Sequence, residues 1–262
     1  LEHAPAPLAR LLATYFAQRP LRTTLLSVRV PLALALLLTV VVTPAASASA
    51  GSYTRLSDER TLSRWAHAGQ AAAVRADPSD DAKRVGNLRY FTEDGFPEVY
   101  LLLRRHRDSA GETWVELRLP QRPNGVTGWV RREALGAYRK TNQRLVIDRR
   151  TFWARLYVRG RVVWRARVGV GAPGTKTPAG DFWIREKLRF KNVPLYGTRA
   201  LGTAAYAPTL SDWPGGGVVG IHGTSQPWLI PGRPSHGCIR VRNDDIERLY
   251  RLVNVGAPLT IV

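Results

Sequence analysis

The clearest periodicity lies in the second half of the chain. Phe152, Ala154, Leu156 and Val158 alternate with Trp153, Arg155 and Tyr157, and Val146 begins the same pattern upstream. A period of two marks a half-buried strand. Gly160 turns the chain, and Val162, Trp164, Ala166, Val168 and Val170 resume the alternation, so a β-hairpin is expected. Further strands are expected over 181–184, after the turn signals of Thr177-Pro178-Ala179-Gly180, over 218–221 and over 258–262. A single helix is predicted from Asn243, read as its capping residue, with Asp244 and Asp245 suited to the positive helix end. Ile246, Leu249, Tyr250 and Val253 then form one stripe at helical spacing, and Gly256 closes it. Residues 185–217 show no such pattern and read as a long loop able to cover a cleft.

The first half of the chain is organised differently. Short β-type segments recur at 73–74, 85–88, 99–103, 114–117 and 128–130, separated by breaks such as Asp77-Pro78-Ser79-Asp80, Asp94-Gly95 and Pro123-Asn124-Gly125. Closely spaced short strands suggest a small barrel over 64–136. Residues 49–63 read as a polar linker, 137–141 as a junction and 142–262 as a second domain; His67 and His106 read as surface residues. Before all of these, Arg10, Arg19, Arg22 and Arg29 precede an uncharged run over 30–42, followed by Ala-Ser-Ala sequences at 46–50. That run is short for a bilayer, which takes about 20 residues to span. The pattern describes a secretory signal over 1–48, with an uncleaved membrane anchor as the alternative, and hence an exported protein.

Charge narrows the partners. Lys and Arg number 39 against 20 Asp and Glu, a formal +19. Loss of 1–48 would remove four Arg and one Glu, a net of three, and leave +16. Anionic cell-wall polymers are therefore possible partners. Nucleic acid is not favoured, because export is expected and no recognition motif is present. Any membrane contact would run through the N-terminal segment alone.

The chemistry gathers in one place. The only cysteine, Cys238, and two of the five histidines, His222 and His236, fall within Gly220-Ile221-His222-Gly223-Thr224 and Pro234-Ser235-His236-Gly237-Cys238-Ile239-Arg240. A lone cysteine in an exported chain is a candidate reactive thiol. At an unperturbed pKa of about 8.5 little of it is thiolate at neutral pH, so a neighbouring base would assist it, and either histidine could be that base. A zinc site from His222, His236 and Cys238 lacks a fourth ligand at any indicated spacing. A papain-like arrangement would place the cysteine before its histidine, and here the histidine comes first.

These two motifs, with Gly171-Ala172-Pro173-Gly174-Thr175-Lys176-Thr177-Pro178-Ala179-Gly180-Asp181-Phe182 upstream, resemble the L,D-transpeptidase catalytic domain of the YkuD type over about 142–262. Trp114-Val115-Glu116-Leu117 and Thr127-Gly128-Trp129-Val130 resemble a bacterial SH3-like module. The fold implied is mainly β: a β-sandwich with one helix near its C-terminus, preceded by a small SH3-like barrel. The resemblance makes Cys238 the nucleophile and His222 the base, with the Gly223 backbone carbonyl orienting the imidazole. It assigns the backbone N–H groups of His236, Gly237 and Cys238 to the oxyanion, with the His236 side chain shaping the pocket. Arg240, Ser235 and Thr224 become candidate substrate-binding residues. The implied activity is peptidoglycan cross-linking through a Cys238 thioester, with release of terminal D-alanine from a stem peptide and no cofactor or metal. The alternatives are a carboxypeptidase using water as acceptor and a catalytically silent wall-binding protein.

Overall fold

The computed structural model describes residues 52–191, 193–210 and 216–262. The basic and apolar segment over 1–48 lies outside the described residues. Among the described residues no helix is long and apolar enough to cross a membrane.

The first half builds one eight-stranded sheet. Its strands are β1 (Tyr53–Arg55), β2 (Ser63–Ala66), β3 (Ala73–Arg75), β4 (Arg84–Asn87), β5 (Tyr100–Arg107), β6 (Thr113–Arg118), β7 (Thr127–Arg131) and β8 (Arg139–Thr141). They run in the order β4-β3-β7-β6-β5-β2-β8, with β1 paired to β5. The expected linker is therefore not a linker over its described part: β1 pairs with β5 and Ser57 is buried with its hydroxyl on the Leu102 carbonyl. The expected junction is equally structured, because β8 pairs with β2. Both stretches were hidden by their polar composition, since edge strands need only backbone pairing and few apolar residues. His106 is also not a surface residue. It is 8% exposed and stacks on Tyr53 with ring centroids 4.5 Å apart, while His67 is half-buried against the Glu98 carbonyl at 2.7 Å.

The second half contains β9 (Gln143–Asp148), β10 (Trp153–Val158), β11 (Arg161–Arg167), β12 (Gly169–Gly171), β13 (Gly180–Arg189), β14 (Arg199–Tyr206), β15 (Val218–His222), β16 (Gly232–Ser235), β17 (Ile239–Arg240), helix α1 (Asn243–Leu252) and β18 (Pro258–Ile261). The hydrogen-bonded order is β11-β10-β9-β18-β13-β14-β15-β17-β12-β16. The first part of β13 pairs with β18 over Gly180–Trp183, and its second part pairs with β14 from Ile184 onward. One strand thus passes from one layer to the other, and the inward alternating residues of both layers, Leu145, Ile147, Leu156, Phe182, Ile184, Leu201 and Ile221 among them, fill a shared core. The hairpin of β10 and β11 forms as expected, except that a register shift after Leu156 leaves Val162 and Val163 each 48% exposed.

Residues 185–217 are not one continuous loop: β13 continues to Arg189 and β14 occupies Arg199–Tyr206. The alternation was disguised because Arg185 and Glu186, which look solvent-facing in sequence, are 1% and 2% exposed. Arg185 is paired with Glu98 and, at 2.9 Å, with Glu93 of the first sheet. Trp183 Nε1–H donates to the Val99 carbonyl at 2.8 Å, and the Trp65 ring lies where a Cβ on Gly256 would come within 2.2 Å. Trp65, Val99 and Leu101 therefore belong to the core of the second half. The two sheets are fastened together by buried contacts.

Candidate active site

Strand β15 delivers His222 at its end, and β17 runs parallel beside it with Ile221 opposite Ile239 and His222 opposite Arg240. Side chains alternate across a strand, so one residue before β17 brings Cys238 beside Gly220, on the face that His222 shares. The Cys238 thiol is accordingly hydrogen-bonded to the Gly220 backbone. Both side chains line one pocket, whose walls include Tyr196, Leu210, Val219, His236 and the permanently charged Arg240.

The protonation pattern follows from two contacts. His222 Nδ1 lies 2.6 Å from the Gly223 carbonyl oxygen. A carbonyl only accepts, so Nδ1 carries the proton and Nε2 keeps its lone pair. His222 is 3% exposed, and burial lowers its pKa to about 4; the Gly223 bond opposes this shift and Arg240 adds to it. Burial also raises the Cys238 pKa above the ordinary thiol value, against smaller opposite pulls from Gly220 and Arg240. At neutral pH the resting pair is thiol and neutral imidazole. Tyr196 packs edge-on against the imidazole with centroids 4.7 Å apart and fixes the ring plane.

Gly223 is required here by close approach. A Cβ at this position would lie 2.3 Å from Asn243 Oδ1 and 3.1 Å from the Gly197 Cα. Asn243 does not cap its helix. Arg242 occupies the cap position without a side-chain bond, and Asn243 Oδ1 instead accepts the Thr224 N–H at 2.9 Å. The residue expected to start the helix thus holds the histidine loop, and Asp244 and Asp245 alone supply the favourable charge at that helix end. Thr224 is not brought to the pocket. It is 1% exposed, and its hydroxyl accepts the Gln226 N–H at 3.0 Å.

The cysteine loop is braced from two sides. Ser235, 3% exposed, donates its hydroxyl to the Cys238 carbonyl at 2.5 Å and accepts the Gly237 N–H at 3.2 Å. In the resting structure the Gly237 N–H is thus donated within the loop. Gly237 itself has φ of +127°, a conformation a side chain would strain. Thr177 donates to the Gly237 carbonyl at 2.7 Å and accepts the Gly171 N–H at 2.9 Å, while Thr175 donates to the Ser235 carbonyl at 3.2 Å. The Gly-Thr-Lys-Thr-Pro stretch is thus a buttress for the loop that carries Cys238. Its threonines, together with Tyr196 and Asn243, are the supporting residues that sequence reading missed; only the resemblance pointed to the stretch, and no periodicity marked it.

Arg240 Nη1 donates to Gln226 Oε1 at 3.1 Å, and its Nε is enclosed without a partner. The exposed His236 side chain stands on the pocket rim. The first sheet reaches the pocket wall as well. Arg122 donates to the carbonyls of Ala207, Leu210 and Gly216 at 3.1, 2.9 and 2.8 Å, and Asn124 bonds both backbone groups of Tyr206. Among the described residues no group of three His, Cys, Asp or Glu side chains is gathered as metal ligands would be.

A cysteine and an Nε2-bearing histidine in this strand pairing, buttressed by Thr177 and Ser235, is the arrangement against which known families can be compared. Residues 142–261 match the L,D-transpeptidase catalytic domain, YkuD. The curated "Probable L,D-transpeptidase ErfK/SrfK" of Escherichia coli is 32% identical over 112 residues, 36% of this chain and 36% of that protein. The Bacillus subtilis protein YkuD, whose name carries the same activity with a similar qualifier, is 34% identical over 106 residues, 40% of this chain and 57% of its own length. The chain thus spans between about a third and just over half of the length of these relatives. Among solved structures, an L,D-transpeptidase from Mycobacterium smegmatis is 16% identical with a TM-score of 0.40, covering 75% of this chain and 99% of that one. An Enterococcus faecium L,D-transpeptidase is 24% identical with a TM-score of 0.37, covering 46% of this chain and 49% of that one.

Proposed function

We propose that the chain is an exported peptidoglycan L,D-transpeptidase in which Cys238 and His222 carry the acyl transfer. The observation that carries this reading is the His222 Nδ1–Gly223 carbonyl bond, which leaves Nε2 as a proton acceptor in the pocket that holds the thiol. As Sγ attacks the carbonyl between the third stem residue and terminal D-alanine, Nε2 takes the thiol proton. The tetrahedral oxyanion is held by the backbone N–H groups of His236 and Cys238. The imidazolium then protonates the departing D-alanine amine and leaves a thioester on Cys238. The side-chain amine of a neighbouring stem attacks the thioester, gives its proton to Nε2, and the thiol is restored with a cross-link between third residues.

Two features fit this sequence of steps. The charge balances without a further ion, because the proton that Nε2 takes from the thiol is passed to the leaving amine as the thioester forms, and the proton taken from the acceptor amine returns to the sulfur. Arg240 offers a planar fork for a stem carboxylate, once Gln226 yields or shares it. The first sheet, through Arg122 and Asn124, keeps the pocket wall in place.

The test is direct. The protein incubated with tetrapeptide muropeptides is expected to release D-alanine and form dimers, and Cys238→Ala to do neither. Release without dimers identifies water as the acceptor. Undiminished dimer formation by Cys238→Ala removes the mechanism.

A further inference from the structure

The outer face of strands β9, β10 and β11 is built from arginine and aromatic residues. Leu145, Ile147, Ala154, Leu156, Trp164 and Ala166 of these strands point into the core. By alternation, Arg144, Trp153, Arg155, Tyr157, Arg165 and Arg167 stand on the other side. The register sets Arg155 directly opposite Arg165 and Trp153 directly opposite Arg167. The guanidinium carbons of Arg155, Arg165 and Arg167 lie 5.7, 5.7 and 4.9 Å from the centre of the Trp153 ring. Three cations thus crowd around one indole.

No nearby acid neutralises them. Arg144, Arg155, Arg165 and Arg167 take part in no ion pair among the described residues. The face has an acid at each margin. Asp148 is turned into its own turn, accepting the Arg150 and Thr151 N–H groups at 2.9 and 3.0 Å. Asp181 lies two strands beyond β9 and accepts the Thr260 hydroxyl at 3.0 Å, while Arg144 bonds that same hydroxyl oxygen at 3.2 Å. Like charges placed directly opposite on neighbouring strands destabilise a sheet. Here the arrangement is kept, and the indole face that lies among the cations attracts them without cancelling their charge.

We propose that this face binds a linear, phosphodiester-bearing anionic polymer of the cell wall. The polymer chemistry follows from charge complementarity. Arginine forks suit phosphate oxygens, and several forks on adjacent strands about 4.8 Å apart offer successive contacts rather than one pocket. The choice of a wall polymer over nucleic acid or lipid rests on the proposed wall activity of the same domain. The face lies on the layer opposite the cysteine strands in the sheet order, so bound polymer would tether the domain while leaving the pocket open.

The experiment measures binding of purified poly(glycerol phosphate) teichoic acid by the full chain across a salt series. Binding is expected to weaken with salt at a logarithmic slope of about −3, as four phosphate contacts on a flexible chain imply. The triple variant Arg155→Gln, Arg165→Gln, Arg167→Gln is expected to bind roughly tenfold more weakly at low salt, with the slope reduced by about 2. A control carrying Arg60→Gln, Arg84→Gln and Arg105→Gln has the same net charge and is expected to bind almost as the parent does. Equal loss in the two triples, or none in the first, overturns the assignment. So does tighter binding of a single-stranded oligothymidylate or of phosphatidylglycerol vesicles than of the teichoic acid. Near-parental melting of both triples separates binding from folding. Muropeptide cross-linking by the first triple is expected to be unchanged, so an inactive parent that still binds polymer defeats the proposed activity, and an active parent that does not bind defeats this face alone.

Discussion

Two buried regions treat ionisable groups in opposite ways. Between the sheets, Arg185 and Glu98 are both fully buried and paired with each other, and Arg89 and Glu93 extend the network. Burial would push the Glu93 carboxyl up, but Arg185, the Tyr206 hydroxyl and Arg89 outweigh it and hold the pKa at about 2. In the pocket, His222 and Cys238 have no carboxylate partner among the described residues, and burial drives both to their neutral forms. The same desolvation therefore makes a rigid joint where opposite charges meet and a poised acid-base pair where they do not. The joint is spent on structure. The pair stays available until an electrophile arrives and accepts the sulfur's electrons.

The sharpest way to break this contrast is at the sulfur. Cys238→Ala is expected to abolish acyl-enzyme formation, read by intact mass after incubation with donor peptide. His222→Gln keeps a hydrogen-bonding side chain but loses the base, and is expected to lower the acylation rate by about 10²–10⁴-fold with little change in melting temperature. On the other side of the comparison, Arg185→Met leaves two buried or half-buried carboxylates without their central cation. It is expected to cost about 3–5 kcal/mol of unfolding free energy in denaturant titration, with the chemistry of any remaining folded protein intact. An unchanged midpoint would mean that the joint is not held by charge.

Titration gives a finer test, because His222 in the pocket and Glu186 in the joint carry opposite signs. His222 has its folded pKa lowered to about 4 from 6.5, so the unfolded chain binds more protons between these values. Its contribution is fully present above 6.5 and is lost as pH falls toward 4. Glu93 behaves alike at lower pH, its contribution being present above the ordinary carboxylate value of 4.5 and lost as pH falls toward about 2. Glu186, also in the joint, runs the other way. Burial raises its pKa to about 7 despite the Thr92 hydroxyl bonded to it at 2.5 Å, with Asp94 adding to the rise. Its contribution is present below 4.5 and is lost as pH climbs through 7. Glu186→Gln is expected to flatten stability between pH 5 and 7.5 on the alkaline side, and His222→Gln on the acid side, in melts across pH. The smallest effect is expected from Asn243→Ala, which unpairs the Thr224 N–H and should cost about 1 kcal/mol with a modest loss of rate.

Much of this organisation was legible in the chain. The β10–β11 hairpin, β15 and α1 carry apolar patterns of their own, and the cysteine and histidine motifs pointed to two side chains that line one pocket. What stayed hidden depended on partners far away in sequence. Arg185 and Glu186 fall inside the expected long loop until Glu98 and Thr92, from the segment between β4 and β5, meet them. Asn243 reads as a cap until the Thr224 N–H is seen beside it, and Thr177 reads as a turn residue until it meets Gly237. Polar side chains that bond across the fold have no period to betray them.

The central claim is that Cys238 rests as a protonated thiol beside a neutral imidazole. The chain has one cysteine, so iodoacetamide labelling followed by intact mass reports on it alone. The account predicts slow alkylation at neutral pH, rising only above the usual thiol range near 8.5. Rapid alkylation already levelled off at pH 5–6 would reveal a standing thiolate–imidazolium pair and contradict it.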